Sequence, residues 1–154
     1  MSTITVGQAL PAFSAQSTQG EISSESLAGQ AYVLYFYPRD NTPGCTTQAQ
    51  NFRDLINEFE AAGVKIIGVS RDSMASHERF ATKQELPFTL ISDPDESLCE
   101  LFGVMKLKNM YGKQVRGIER STFLVNVDGV LVQEWRGLRV PGHVDQVLEA
   151  ARAL

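Results

Sequence analysis

Cys45 closes the stretch Pro38-Arg-Asp-Asn-Thr42-Pro43-Gly44-Cys45, whose residue types would make a cysteine reactive. Thr42-Pro43 reads as an N-cap followed by proline at the first helical position. That places Cys45 in the first turn of a helix. Helix N-termini carry unpaired N–H groups and about half a positive charge. Both favour thiolate over thiol, and the thiolate is the nucleophile. Thr42 offers a hydroxyl one turn away. Gly44 lets a ligand approach the backbone, and the N–H groups of Gly44 and Cys45 can point at it. Such a site suits attack on a small, polarisable electrophile held by donors. Free cysteine is more commonly buried filler. Flanking Thr, Pro and Gly set Cys45 apart from that use, whereas Cys99, within Leu98-Cys99-Glu100-Leu101-Phe102, reads as filler.

Other cysteine and histidine chemistries fall away. A Cys-x-x-Cys redox pair needs cysteine where Gln48 stands, and a cysteine phosphatase loop needs arginine where Asn51 stands. His77 and His143 are the only histidines and have no ligand spacing. Each is expected to be a solvated helix residue. No metal or cofactor is expected, and no phosphate-loop or dinucleotide glycine motif is present.

The elements around Cys45 follow from hydrophobic pattern. Ala31-Tyr-Val-Leu-Tyr-Phe-Tyr37 is a continuous apolar run, read as a buried central strand that Pro38 ends. Phe52, Leu55, Ile56, Phe59 and Ala62 recur at helical spacing, predicting one helix over 43–62 stopped by Gly63. Strands follow over 64–70 and 88–92, with helices over 73–85 and 95–102. The second of these helices is capped by Asp93 or Asp95 and ended by Gly103. Residues 121–127 and 130–135, around Asp128-Gly129, read as a hairpin with a two-residue turn. A closing helix spans 141–154, with Val144, Val147, Leu148 and Ala151 on one face. After a turn-rich N-terminal segment the order is β-α-β-α-β-α-β-β-α. This predicts an α/β fold: a mixed central sheet flanked by helices on both faces.

Size and composition agree with this. The chain has 154 residues, 43% apolar and 21% charged, with a net charge of −4, which fits one domain over 1–154. Two cysteines exclude a disulfide-scaffolded module. No apolar run is long enough to span a bilayer. The start, Met1-Ser-Thr-Ile-Thr-Val, lacks a basic region and an apolar leader core, so a cytoplasmic location is expected. The acidic balance argues against nucleic acid. Lys106, Lys108, Lys113, Arg116 and Arg120 are expected to form a solvated basic loop, although Arg120 stands at the start of an apolar strand, where a guanidinium needs a partner.

The chain resembles the peroxiredoxins. Pro38-x-x-x-Thr42-x-x-Cys45 matches that family's active-site pattern, and Arg120 in Ile118-Glu-Arg120-Ser-Thr-Phe-Leu-Val125 fits its second catalytic element. The resemblance is closest to the bacterioferritin comigratory, or Q-type, subfamily. It runs through 33–47, 88–103 and 109–129. It implies a thioredoxin-like fold and a thiol peroxidase acting on small peroxides. Cys45 would attack one peroxide oxygen, with Thr42, Arg120 and the Cys45 N–H as donors along the path of charge movement. Pro38 would shield the thiolate, and a thiol would reduce the resulting sulfenic acid.

Many Q-type members carry a second, resolving cysteine at the position held here by Gln50, and others at that held by Ala81. With both empty, Cys99 is the one internal candidate, and reaching Cys45 from a separate helix requires unfolding. A one-cysteine cycle regenerated by thioredoxin or another dithiol is therefore expected, in a monomer, with a dimer as the alternative. Two rivals are a disulfide reductase, opposed by the lack of a nearby second cysteine, and a non-catalytic binding or chaperone module.

Overall fold

The computed structural model describes residues 4–154, apart from the Met110 side chain. The first three residues, read above for a leader, lie outside the described residues. A short hairpin, β1 (Ser14–Ser17) and β2 (Gly20–Ser23), precedes β3 (Ala31–Phe36). Two helices follow, α1 (Pro43–Asp54) and α2 (Ile56–Ala61), then β4 (Val64–Ser70), α3 (Met74–Gln84), β5 (Thr89–Ser92) and α4 (Ser97–Phe102). A second hairpin, β6 (Met105–Met110) and β7 (Lys113–Ile118), leads to β8 (Ser121–Val125), β9 (Leu131–Arg136) and α5 (His143–Arg152).

One sheet carries the order β2-β1-β5-β4-β3-β8-β9, and β6-β7 pair separately. β3, β4 and β5 run parallel, while β8 lies antiparallel to β3 with Phe36 opposite Ser121. The apolar run of β3 is explained by burial on both faces. Val33, Tyr35 and Tyr37 pack beneath α1, α2, α3 and α5, together with Phe52, Phe59, Phe80 and Leu148. Tyr32, Leu34 and Phe36 face the other way, against Leu98, Phe102, Ile118 and Phe123. Each of these large side chains contributes roughly 1.5–3 kcal/mol by leaving water. Helices thus cover both faces, unequally: among the described residues α4 is the one helix on the second, assisted by the base of the β6-β7 hairpin.

Several boundaries differ from the pattern reading. The expected helix over 43–62 is interrupted at Leu55 (φ −106°, ψ 13°). Neither Pro nor Gly marks that break, and Leu55, Ile56 and Phe59 still pack inward. The expected basic loop is a β-hairpin. Tyr111 and Gly112 both take positive φ, 54° and 78°, which is the two-residue turn of a hairpin. Between β8 and β9 the Asn126 N–H bonds the Val130 carbonyl and the Gly129 N–H bonds the Asn126 carbonyl, so the turn has three residues, 127–129, rather than two, with Gly129 at φ 75°. Among the described residues, no helix is long and apolar enough to cross a membrane.

Candidate active site

The carboxyl ends of β3, β4 and β5 lie along one edge of the sheet, the usual place for ligands in α/β folds. β3 delivers the segment 37–45 there. Because β8 runs antiparallel and its first residue pairs with the last of β3, Arg120 arrives at the same edge, 75 residues later in the chain.

Cys45 is the third residue of α1 and is 2% exposed. Arg120 Nη2 donates to Cys45 Sγ at 3.3 Å, and Nη1 donates to Gln48 Oε1 at 2.6 Å. Gln48 lies one helical turn after Cys45, on the same side of α1, and is fully buried. The fork therefore spans sulfur and amide, a geometry a lysine cannot reproduce. Sequence reasoning weighed Gln48 only as a missing cysteine. Its Cys-x-x-Gln spacing on a helix was the available signal.

Gly44 has a physical reason to be glycine. A Cβ there would sit 3.3 Å from Arg120 Nη2, so any side chain would press on the guanidinium. The N–H groups of Gly44 and Cys45 precede the first intrahelical bond, Thr46 N–H to the Thr42 carbonyl. Thr42 occupies the N-cap with extended backbone and Pro43 follows at the first helical position, but the Thr42 side chain makes no cap bond. Its hydroxyl donates instead to the Arg39 carbonyl at 2.8 Å. The two N–H groups beside sulfur are consequently left uncapped. Thr42 was expected as a donor to substrate. With its proton directed at Arg39, its hydroxyl oxygen is the free partner and presents an acceptor. Pro38, half-buried, follows β3 and Tyr37 at the start of the loop.

The surroundings are aromatic and dry. Tyr35 stacks on Phe52 with ring centroids 4.6 Å apart, and on Tyr37 at 5.5 Å. Burial pushes the Tyr35 hydroxyl well above its ordinary pKa, and negative charge at Cys45 and Asp40 adds to this while Arg120 opposes it. Gly68 of β4 makes room for that ring: a Cβ there would fall 2.9 Å from its Oη.

Both histidines are buried, correcting the expectation that they are solvated. His77 is fully inaccessible, bonded through Nδ1 to Asp40 and through Nε2 to the Ile91 carbonyl. His143 bonds the Thr122 hydroxyl at 2.8 Å and lies edge-on to Trp135. Burial, reinforced by Arg120, pushes the His143 pKa down to about 4, so it is neutral at pH 7. A lone histidine in an amphipathic helix looks the same in sequence whether it faces water or a buried acceptor.

Cys99 stands apart. It is fully buried in the opposite core. Burial, then the Asp93 carboxylate, push its thiol well above the usual range. The N-cap of α4 is Glu96 rather than Asp93 or Asp95 and makes no side-chain cap bond, but both aspartates satisfy first-turn N–H groups from just before it: Asp93 accepts from Leu98 and Cys99, and Asp95 from Ser97. Arg116 is engaged with Glu96 and Glu100, and Arg139 is exposed. Gln50, at one position where a resolving cysteine was sought, bonds Gln84 of α3. Ala81, at the other, packs against the core that holds Cys45.

The AhpC/TSA family model matches residues 6–134. The chain is 58% identical over 126 residues to peroxiredoxin Bcp of Xanthomonas campestris pv. campestris, covering 82% of this chain and 79% of that one. Among solved structures it is similar to the bacterioferritin comigratory protein of Xanthomonas campestris, studied for its alkyl peroxide reduction activity. There the TM-score is 0.88 and the identity 49%, covering 95% and 98% of the two chains. A cysteine-to-serine mutant of Xylella fastidiosa PrxQ has a TM-score of 0.93 and 40% identity, covering 99% of this chain and 98% of that one.

Proposed function

The chain belongs to the AhpC/TSA family of peroxiredoxins, and we propose that Cys45 is the sulfur at which it reduces peroxides. It is a thiol peroxidase of the Bcp, or Q-type, kind, with the thioredoxin-like fold of its structural relatives. The observation that carries the site assignment is the 3.3 Å contact of Arg120 Nη2 with Cys45 Sγ at the start of α1.

The Cys45 thiolate attacks the terminal oxygen of a hydroperoxide. An S–O bond forms, the O–O bond breaks, and the electron pair leaves on the distal oxygen, which takes a proton to become water or an alcohol. Sulfur is oxidised by two electrons and the peroxide reduced by two. Charge moves from sulfur to the leaving oxygen, so donors fixed along that line stabilise the transition state more than the ground state. Arg120 and the N–H groups of Gly44 and Cys45 supply them. Thr42 accepts from the peroxide O–H and so orients it. Pro38 covers the thiolate from bulk water.

Cys45 sulfenic acid then condenses with an external thiol, losing water, and a second thiol releases Cys45 as a thiol and leaves a disulfide. The placement of Cys45 and Cys99 in opposite cores supports this one-cysteine cycle. Thioredoxin or a similar dithiol is the proposed reductant. The proposed working unit is the single chain, one domain over 1–154, because every group named belongs to one copy. A cytoplasmic location, where thiols stay reduced, fits that dependence. Stopped-flow oxidation of the reduced protein by hydrogen peroxide and by an alkyl hydroperoxide tests the assignment. It predicts rates far above that of a free thiol, abolished in Cys45→Ser. A rate like that of free cysteine would contradict it.

A further inference from the structure

Asp40 lies in the loop between Pro38 and the start of α1, which carries Cys45, and it is pinned from four directions. Its backbone N–H donates to Asp72 Oδ2 at 2.9 Å. Its carboxylate accepts from Tyr37 Oη at 2.6 Å and Ser76 Oγ at 2.9 Å, and it meets His77 Nδ1 at 2.7 Å. Asp72 is held in turn by Ser70 Oγ at 2.6 Å. These groups come from the residue after β3, the end of β4 and the turn that follows it, and the first turn of α3. The ligand atoms of Asp40, Asp72 and His77 converge within 4.8 Å, and protein donors already satisfy them.

Hydrogen-bond accounting fixes what lies between Asp40 and His77. Nε2 of His77 is 2.8 Å from the Ile91 carbonyl. A carbonyl only accepts, so Nε2 carries a hydrogen. A 2.7 Å approach of Nδ1 to a carboxylate oxygen also needs a hydrogen between them, since two bare acceptors would repel. The pair shares one proton at that contact, out of reach of solvent: the side chains of His77 and Asp40 are 0% and 2% exposed. The next residue, Asn41, takes the left-handed conformation at φ 62°. Such a backbone persists where its surroundings over-determine it.

We infer that the proton-bridged Asp40–His77 pair is a positioning device that holds the 38–42 loop, and with it the first turn of α1, in the geometry in which Cys45 meets peroxide. It acts through the loop: neither residue contacts Sγ. Misplacing a reactive group by about an ångström costs on the order of 10²-fold in rate, so a loop freed at Asp40 slows the peroxide step while leaving the thiolate intact. This role rests on Cys45 being the peroxide-reducing sulfur.

The test compares two reactions of Cys45 in the reduced full chain with Cys99→Ala as background. Oxidation by hydrogen peroxide needs the aligned loop. Alkylation by iodoacetamide needs only an accessible thiolate. His77→Leu and Asp40→Ala are expected to slow oxidation about tenfold to 10²-fold, with alkylation unchanged or faster. Because the two residues work as one unit, the double variant should be no slower than the worse single. Asp40→Asn should stay within about threefold of the parent, because a carboxamide can donate to an unprotonated Nδ1 while still accepting from Tyr37. The inference is overturned by unaltered oxidation in His77→Leu, by oxidation and alkylation falling together, or by multiplying losses in the double variant. If His77→Leu does not fold, Asp40→Asn against Asp40→Ala carries the same comparison, and equal rates overturn it. A parent chain that peroxide oxidises no faster than free cysteine overturns the Cys45 assignment as well. A fast parent with unaffected variants overturns the positioning role alone.

Discussion

Cys45 and Cys99 are each the third residue of a helix at the carboxyl edge of the same sheet, yet their surroundings are opposite. At Cys45 the first-turn N–H groups are uncapped, because the Thr42 hydroxyl turns to Arg39, and a guanidinium stands 3.3 Å from sulfur. At Cys99 the Asp93 carboxylate caps the N–H groups of Leu98 and Cys99 at 3.1 and 2.8 Å and places negative charge beside the thiol. Cys45 belongs to the core under α1 and α5, and Cys99 to the core on the other face. A helix N-terminus alone does not make a cysteine reactive. What fills the unpaired N–H groups decides whether its field reaches sulfur or is spent on a cap.

The largest expected effect follows directly. Cys45→Ser should abolish peroxide turnover, and Cys99→Ala should retain most of it with dithiothreitol as reductant. Loss of turnover in a folded Cys99→Ala protein would break the contrast. Next in size is Arg120. Removing a transition-state donor typically costs about 10²–10³ in rate. Arg120→Ala and Arg120→Lys should both slow stopped-flow peroxide oxidation at least about tenfold even at pH 9, the lysine because it cannot span Sγ and Gln48 together. Reduction by thiol should be slowed less, since the O–O bond whose leaving oxygen Arg120 stabilises breaks only in the first step, and the sulfenic oxygen leaves as water in the second.

The two faces should also fail at opposite ends of the pH scale. His143, beside Arg120, has a folded pKa of about 4 against an ordinary 6.5. Between these values the unfolded chain binds the proton and the folded one does not, so stability falls as pH drops from 6.5 to 4. The loss should total about 3 kcal/mol, and urea unfolding of His143→Gln should show a shallower decline. For Cys99 the sign is reversed. Its folded pKa is raised, so its contribution is intact below the ordinary thiol value of 9.0 and is lost as pH rises beyond it. Cys99→Ala should remove that alkaline loss and leave the acid limb alone.

The smallest expected effects come from exchanging the caps. Asp93→Ala frees two N–H groups of α4 and should cost about 1–2 kcal/mol in unfolding free energy without slowing peroxide oxidation. Thr42→Asp would give α1 the cap it lacks. It should add roughly 0.5–1 kcal/mol of stability and slow oxidation severalfold, by occupying the N–H groups and setting a negative charge beside sulfur. A Thr42→Asp protein as fast as the parent would show that the uncapped turn is not used.

What was legible in the sequence is what is local. Thr42-Pro43 marks a helix start without any tertiary partner, so the position of Cys45 in the first turn could be read directly. Arg120 came from resemblance, because only the antiparallel pairing of β8 with β3 brings it across 75 residues. The strand order was not legible, and with it the fact that the two cysteines lie on opposite faces. His77 and His143 were missed because a polar residue in an amphipathic segment reads as solvated until its buried partner is known, and Asp40 because a polar loop residue gives no sign of the side chains that close over it. Tyr111-Gly112 was overlooked as a hairpin turn because the surrounding lysines suggested a loop, although strand residues with one face in water carry charge readily.

The central claim is tested most directly by mass spectrometry of the reduced protein exposed to one equivalent of hydrogen peroxide without thiol, then digested after trapping with a sulfenic-acid reagent. The trapped adduct is expected on the peptide containing Cys45, with Cys99 recovered as free thiol and no peptide linking the two. A Cys45–Cys99 disulfide, or a sulfenic acid on Cys99 with Cys45 unmodified, would contradict the division of the two cysteines between a reactive face and an inert one.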